Sequence, residues 1–284
     1  MDLDIVKALQ SLQNPIFDWF FYVVTQIGDQ YVFIVIASIL YWTINKKYAH
    51  KFVMAYLGSA IINVGLKAIF QRPRPFNHEG VYEPDIPGVR TSGTSFPSGH
   101  AHAAGVIAHS LYDVYKQTNR KIYYYLGLFV VIFVPLSRVY LGQHFLSDVI
   151  VGAVLGFMIA FLMFKLVVLM KDKEHIYTLY VIPIFILLLF FFKDENLYIA
   201  AGGFSGFAIG YALEKMYVNF SVENSNWIQV LKIAIGLTGA ILFKEGLKLF
   251  FPDTLFFDFI RYFMIGVWAA VGAPWVFKHA FRNR

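Results

Sequence analysis

Apolar residues run through this chain in long stretches, broken by short polar or basic segments. One group of stretches lies at about 30–45, 50–71, 97–115, 122–140 and 144–170. A second lies at about 176–192, 197–214, 228–250 and 256–277. Most approach or exceed the ~20 residues that an α-helix needs to cross a bilayer. Ahead of them, residues 3–13 place Leu3, Val6, Leu9 and Leu12 on one helical face, and Asn14-Pro15 breaks that helix. Residues 16–28 are rich in aromatics and end at Gly28-Asp29. Both pieces read as helices lying in the membrane interface; the alternative joins 16–45 into one tilted span. The pattern therefore predicts an all-α, polytopic transmembrane bundle. Residues 1–29 form its N-terminal interfacial helices, 30–170 its membrane core and 171–284 a C-terminal transmembrane extension.

Composition agrees: 58% of residues are hydrophobic and 15% charged, against about 25% charged in a soluble domain. The net charge of +6 does not indicate nucleic acid, because the basic residues sit in short loops between apolar runs. Such loops mark the cytoplasmic side. Lys46, Lys47 and Lys51 mark one; Lys116, Arg120 and Lys121 the next; Lys171 and Lys173 a third; Lys278, Arg282 and Arg284 the C-terminal segment. This alternation places residues 72–96 and the turn at 138–144 on the opposite face. The N-terminal MDLDIVKALQ is acidic where a cleaved signal would be basic. With no cysteine, disulfides, thiolate catalysis and Cys-ligated metals are excluded.

The two non-cytoplasmic segments and their flanks hold three polar clusters: KAIFQRPRP, with Lys67 and Arg74-Pro75; FPSGHA, with Pro97, Ser98, Gly99 and His100; and SRVYLGQHFLSD, with Ser137, Arg138, His144 and Asp148. A cation at mid-membrane costs roughly 2.5–3.5 kcal/mol on insertion scales, so such residues face a partner or a site. If the helix continues from Lys67 to Arg74, both point the same way and converge with Arg138. A phosphate dianion satisfies such a set, and the Arg fork matches its oxygens. Pro97 to His100 opens a helix whose free N–H groups favour an anion. Gly99 admits a phosphoryl group close to the backbone, Ser98 adds a hydroxyl, and His100 stands where it can protonate a leaving oxygen. His144 and Asp148 are four residues apart, hence on one helical face. A carboxylate there can hold the imidazole Nδ1–H and leave Nε2 free to attack phosphorus. Gly152 and Gly156 continue that stripe and would let a neighbouring helix pack closely.

These clusters resemble the signature of the type-2 phosphatidic-acid phosphatases of the vanadium-haloperoxidase superfamily: Lys, six residues, Arg-Pro; Pro-Ser-Gly-His; Ser-Arg, five residues, His, three residues, Asp. Every position is present, and the resemblance covers about residues 30–170. It implies a six-helix-type phosphatase core. It also implies His144 as the nucleophile of a phosphohistidine, oriented by Asp148, with His100 as acid and then base. Lys67, Arg74, Ser98, the Gly99 amide and Arg138 hold the phosphate oxygens, with no metal and no cofactor. The expected substrate is a lipid phosphate or diphosphate drawn from the bilayer. The expected location is a bacterial plasma membrane, with the site on the non-cytoplasmic face. A soluble monoester such as a hexose phosphate, a phosphotransferase reaction and a phosphate-lipid transporter are the competing functions. The extra C-terminal helices are similar to those of glucose-6-phosphatases.

Other polar residues have plainer roles. His102, near the face opposite His100, is expected to pack or to line the entrance, and His109 to be core. Arg72 is expected to snorkel or to meet a second phosphate, and His78, Glu79, Glu83 and Asp85 to form a solvated loop. In the extension, Gly202, Gly206 and Gly210 suit a close helix contact. Lys244, Glu245, Lys248, Asp258 and Arg261 are expected to pair among themselves. The predicted topology has a direct check. In this cysteine-free chain, single cysteines at Glu83 and at Lys116 should react with an impermeant maleimide from opposite sides of a sealed membrane; labelling of both from one side would refute it.

Overall fold

The computed structural model describes residues 2–82 and 93–281, and these contain helices and no strand. In order they are α1 (Asp2–Gln10), α2 (Pro15–Gln26), α3 (Gln30–Ile39), α4 (Lys46–Phe70), α5 (Gly99–Thr118), α6 (Lys121–Tyr140) and α7 (Leu146–Leu169). Then follow α8 (Glu174–Tyr177), α9 (Ile182–Phe191), α10 (Glu195–Leu213), α11 (Asn226–Phe250), α12 (Leu255–Val267) and α13 (Ala273–Ala280). Among the described residues, six helical segments are long and apolar enough to cross a bilayer: Lys46–Asn77, Lys121–Tyr140, Leu146–Leu169, Lys171–Phe191, Asn226–Phe250 and Leu255–Ala280. A seventh arises if α2 and the helix from Gln30 to Ile44, bent by 52°, count as one broken span. The expected spans at 97–115 and 197–214 are α5 and α10, which are less apolar than the others. Both bury long runs of small residues against other helices, so protein rather than lipid surrounds much of their surface. Arg282, Arg284, Glu83 and Asp85 lie outside the described residues.

By their contacts the helices fall into two compact units, Met1–Ile34 with Met54–Phe164 and Val35–Val53 with Lys165–Arg284. In the first, α5 is the central element. Ser98 caps its start, its hydroxyl accepting from the Ala101 amide, and Asn119 ends it in the left-handed conformation. Between them Ala101, Ala103, Ala104, Val106 and Ala108 are buried. Gly105 of α5 faces the backbone of Ala153, Gly156 and Phe157, while Gly152 and Gly156 of α7 face the Ser98 and His102 carbonyls. A Cβ at any of these three would strike main chain, so α5 and α7 touch through their backbones, as the Gly152–Gly156 stripe predicted. Gly127 of α6 approaches the Ala108 carbonyl from the other side.

α1 and α2 close this unit. The Asn14 side chain accepts from the Ile16 and Phe17 amides and Pro15 fits the first turn of α2. α2 lies on α6 through Phe20–Phe133 and Phe21–Tyr140, and the Tyr140 hydroxyl donates to Asp18 at 2.7 Å. α1 turns Leu3, Val6 and Leu9 onto Ala101, Val139, Phe145, Val149 and Ala153, with Val6 fully buried. The Gln10 amide donates to the carbonyl of Tyr82 at 2.6 Å and accepts from its N–H at 2.9 Å.

In the second unit α10 packs on α12 through Gly202, Gly206 and Gly266, whose Cβ positions are occupied by facing backbone. Trp42 and Trp268 lie over Gly236 and Gly239, and their indole N–H groups donate to the Ala269 and Gly236 carbonyls. Three buried charges here are matched by ions, Glu214 with Lys46 at 3.0 Å, Glu174 with Lys215 at 2.7 Å and Arg261 with Asp258 at 3.0 Å, while the buried Lys232 donates to the Ser221 and Val222 carbonyls. The expected pairing of Arg261 with Asp258 is thus present, as is that of Lys244 with Glu245.

The backbone contact between α5 and α7 has a measurable consequence. Gly156→Ala should destabilise the protein in detergent by about 1–3 kcal/mol, the usual cost of overpacking. Gly65→Ala, where a Cβ meets nothing within 4 Å, should be neutral or stabilise by up to about 1 kcal/mol. Thermal unfolding of the two variants checks the sign of each.

Candidate active site

All eight site residues anticipated from sequence lie in the first unit, at one end of α4, α5, α6 and α7. Lys67 projects from the last turn of α4, and its ammonium donates to the Thr94 carbonyl at 2.5 Å. The helix does not continue to Arg74. It stops at Phe70, because Gln71 takes a left-handed φ of 42° and Pro73 follows. Arg74 instead reaches the site from the segment after the helix and is held by the Gly93 and Gln143 carbonyls, both at 2.9 Å. The Ser95 amide donates to the Arg72 carbonyl at 2.7 Å, tying the strand of chain before α5 to this segment.

Ser98 and Gly99 form the start of α5, and the Ser98 amide donates to the Asp148 carbonyl at 3.2 Å. His100 follows on the first turn, within electrostatic reach of Arg138, His144, Arg74 and Lys67. Gly28, in the turn between α2 and α3, sits against the His100 backbone. Arg138 lies fully buried in the last turn of α6, with Nη1 donating to the Thr25 hydroxyl at 3.0 Å.

α7 begins at Leu146 rather than at His144, so the imidazole belongs to the turn before it, with its amide donating to the Arg138 carbonyl. His144 Nε2 lies 3.1 Å from Arg74 Nη1. A guanidinium can only donate, so Nε2 accepts and Nδ1 carries the proton. Burial, and then the charges of Arg74, Arg138 and Lys67, hold this imidazole well below its ordinary pKa. The imidazole is therefore held in its neutral form, with a lone pair facing the cations.

The His144–Asp148 contact differs from the expectation. Nδ1 and Asp148 Oδ2 are 3.8 Å apart, too far for a hydrogen bond. Ser95 stands between them: its hydroxyl donates to Oδ2 at 2.5 Å and lies 3.4 Å from Nδ1. The Phe145 amide also donates to Oδ2, at 3.0 Å. Arg72 corrects a second expectation. It neither snorkels nor stands ready for another phosphate, but donates to Asp148 Oδ1 at 2.7 Å.

Sequence reasoning passed over Thr25, Ser59, Asn63 and Ser95. Ser59, Asn63 and Lys67 recur every four residues in an apolar helix, a polar stripe that was legible in principle. It meets the start of α5 and the residue before its cap: Ser59 Oγ is 2.6 Å from His102 Nδ1, and Asn63 donates to the Pro97 carbonyl at 3.1 Å. His102 is thus a packed, bonded side chain, and His109 is core, ringed by Phe157, Phe161 and Phe164. Nothing marked Thr25 or Ser95 as exceptional. Among the described residues no three His, Asp or Glu side chains gather as a metal site would require.

The chain is similar to known proteins along much of its length. Residues 48–171 match the family model described as the PAP2 superfamily, and residues 198–282 match that of the PAP2 superfamily phosphatase transmembrane extension. The lipid A 4'-phosphatase of Porphyromonas gingivalis is 23% identical over 184 residues, 61% of this chain and 75% of that protein. The undecaprenyl-diphosphatase of Sulfolobus acidocaldarius is 28% identical over 165 residues, 57% of this chain and 76% of that protein. The crystal structure of a transmembrane PAP2-type phosphatidylglycerolphosphate phosphatase from Bacillus subtilis superposes with a TM-score of 0.51 at 25% identity. It covers 60% of this chain and 86% of that one.

A cage of this kind should bind a phosphate-like anion. Orthovanadate at 100 times its Kd should stabilise the folded protein by about 2.7 kcal/mol. Arg74→Ala should abolish the shift in unfolding temperature and Arg261→Ala should retain it. Loss of the shift in both, or in neither, would contradict the assignment.

Proposed function

This chain belongs to the PAP2 superfamily, and on that premise we propose that it is an integral membrane phosphatase of lipid phosphates or diphosphates, working from the non-cytoplasmic face. The observation that carries the reading is the buried imidazole of His144. Its Nε2 faces Arg74 at 3.1 Å, and its Nδ1 faces the Ser95–Asp148 pair. One nitrogen is directed at a cationic cage and the other is held by an oriented acceptor. That is the arrangement of a nucleophile.

The reaction follows from these positions. With substrate bound, Lys67, Arg74, Arg138, the Ser98 hydroxyl and the amides at Gly99 take the phosphoryl oxygens, whose charge is spread in the transition state. His144 Nε2 attacks phosphorus, the bond to the leaving oxygen breaks, and that oxygen takes a proton from His100. Water then attacks the phosphohistidine, His100 accepts its proton, and the P–N bond breaks with its electron pair returning to His144. Charge is stabilised by side chains throughout, so no divalent cation is required. The bilayer supplies the substrate: the site lies at helix ends, and α2 beside it exposes Ile16, Phe17, Trp19 and Phe20, a composition suited to the headgroup layer. The relatives named above act on lipid A, undecaprenyl diphosphate and phosphatidylglycerol phosphate, and each name describes a lipid-borne phosphate. The alternation of basic loops supports the outward-facing orientation.

Purified protein tests this on a panel of esters in one detergent. Activity should survive EDTA, His144→Ala should abolish both turnover and any acid-labile phosphoenzyme, and His100→Ala should act mainly on esters with poor leaving groups. The kcat/KM for a long-chain phosphate ester should exceed that for a hexose phosphate by at least about 100-fold, or ~2.7 kcal/mol. Equal efficiency on both would favour a soluble substrate, and activity lost to EDTA and restored by Mg²⁺ would overturn the mechanism.

A further inference from the structure

The reaction leaves Arg72 unused, yet its contacts are specific. Nη1 donates to Asp148 Oδ1 and to Ser147 Oγ, both at 2.7 Å, and Nη2 donates to Asp2 Oδ2 at 3.0 Å. Ser147 in turn donates to the same Asp2 oxygen at 2.5 Å, so Asp2, Arg72 and Ser147 close a ring of hydrogen bonds. The guanidinium lies flat enough on Phe145 for its carbon to stand 3.9 Å from the ring centroid. Asp148 is fully buried, and its other oxygen is taken by Ser95 and the Phe145 amide. The carboxylate is therefore held at both ends, with Oδ2 turned toward His144 and Oδ1 locked to Arg72.

We infer that Arg72 is a positioning residue for the His144–Asp148 pair, and that the N-terminal helix α1 serves the reaction by supplying Asp2 as the second anchor of Arg72. The position of Asp2 is determined by packing. Val6 is fully buried against Ala101, Val139, Phe145, Val149 and Ala153, and Gln10 is bonded to both backbone groups of Tyr82. Burial acts to raise the Asp2 pKa, but the Ser147 hydroxyl and Arg72 hold it below the usual carboxylate range, as a permanent counter-anion requires. The hydrogen bonds of the Arg72 guanidinium go to Asp148, Ser147 and Asp2, so on this inference it acts through Asp148 and touches no substrate oxygen. Without it a buried carboxylate loses its cation, the costliest way to break such a pair. Asp148 is then free to turn from His144 or to take a proton from its neighbours. This inference rests on the assignment of His144 as nucleophile and Asp148 as its orienting group.

The test measures kcat, KM and vanadate inhibition, with thermal unfolding on the same samples, for Arg72→Gln, Arg72→Lys, Asp2→Asn and the double variant Asp2→Asn/Arg72→Gln. Arg72→Gln should lose about 50-fold in kcat, with KM and vanadate inhibition within about threefold of wild type. Arg72→Lys, which keeps the charge but cannot fork between two carboxylates, should recover about fivefold of that loss. Asp2→Asn should lose about threefold, and the double variant should be no slower than Arg72→Gln alone, because Asp2 acts only through Arg72. A kcat within about threefold of wild type for Arg72→Gln overturns the inference. So does weakening of vanadate in step with kcat, which would make Arg72 a phosphate ligand, and so do multiplicative losses in the double variant. A wild-type protein inactive on every ester would sink the proposed function instead. The unfolding data then carry the test, and additive losses in the Asp2–Arg72 cycle overturn the coupling.

Discussion

The site depends on the distance between two backbones. Where α5 crosses α7, Gly105, Gly152 and Gly156 leave no side chain to set the spacing, and main chain meets main chain. Lipid tails give apolar side chains no reason to prefer a neighbouring helix, so close packing of this kind is a principal source of helix association in a bilayer. It also sets the register. With the helices at contact, the start of α5 falls beside the first turn of α7, and the Ser98 amide bonds the Asp148 carbonyl. The helix start at Ser98 and the imidazole of His144 thus come from segments 46 residues apart, yet share a hydrogen-bonded frame.

Around that frame the polar groups form layers. The outermost layer of the pair is Asp2 with Ser147, then Arg72, then Asp148 and Ser95, and finally the imidazole whose Nε2 faces the cations. Each member is held from behind by the next, which confines the rotamers of groups that would otherwise pay entropy at the moment of reaction. Thr25 does the same for Arg138, and Gly93 and Gln143 for Arg74. The second unit uses polar groups differently. Its buried glutamates pair with lysines, Glu174 with Lys215 and Glu214 with Lys46, contacts that join segments far apart in the chain.

The sequence by itself determined the solvent, the helices and the chemistry. Apolar runs of membrane length can only be helices, since every backbone group in lipid must be bonded within its own segment. The spacing of Lys67, Arg74, Ser98, Gly99, His100, Arg138, His144 and Asp148 singled out the residues that the fold brings together in one unit, because four-residue intervals and helix starts are local geometry. Tertiary structure alone decided how those groups are held. The local four-residue rule put Asp148 on His144, but α7 begins two residues after the histidine, and Ser95 from a distant loop fills the interval. Periodicity could not show that Arg72 faces inward, because the left-handed turn at Gln71 takes it off the helical wheel. Nor could it show that α1 lays its apolar stripe on the site's own core, since an amphipathic helix has the same pattern whether its partner is lipid or protein. Contacts between residues far apart in the chain depend on which surfaces meet, and a sequence pattern describes each surface without its partner.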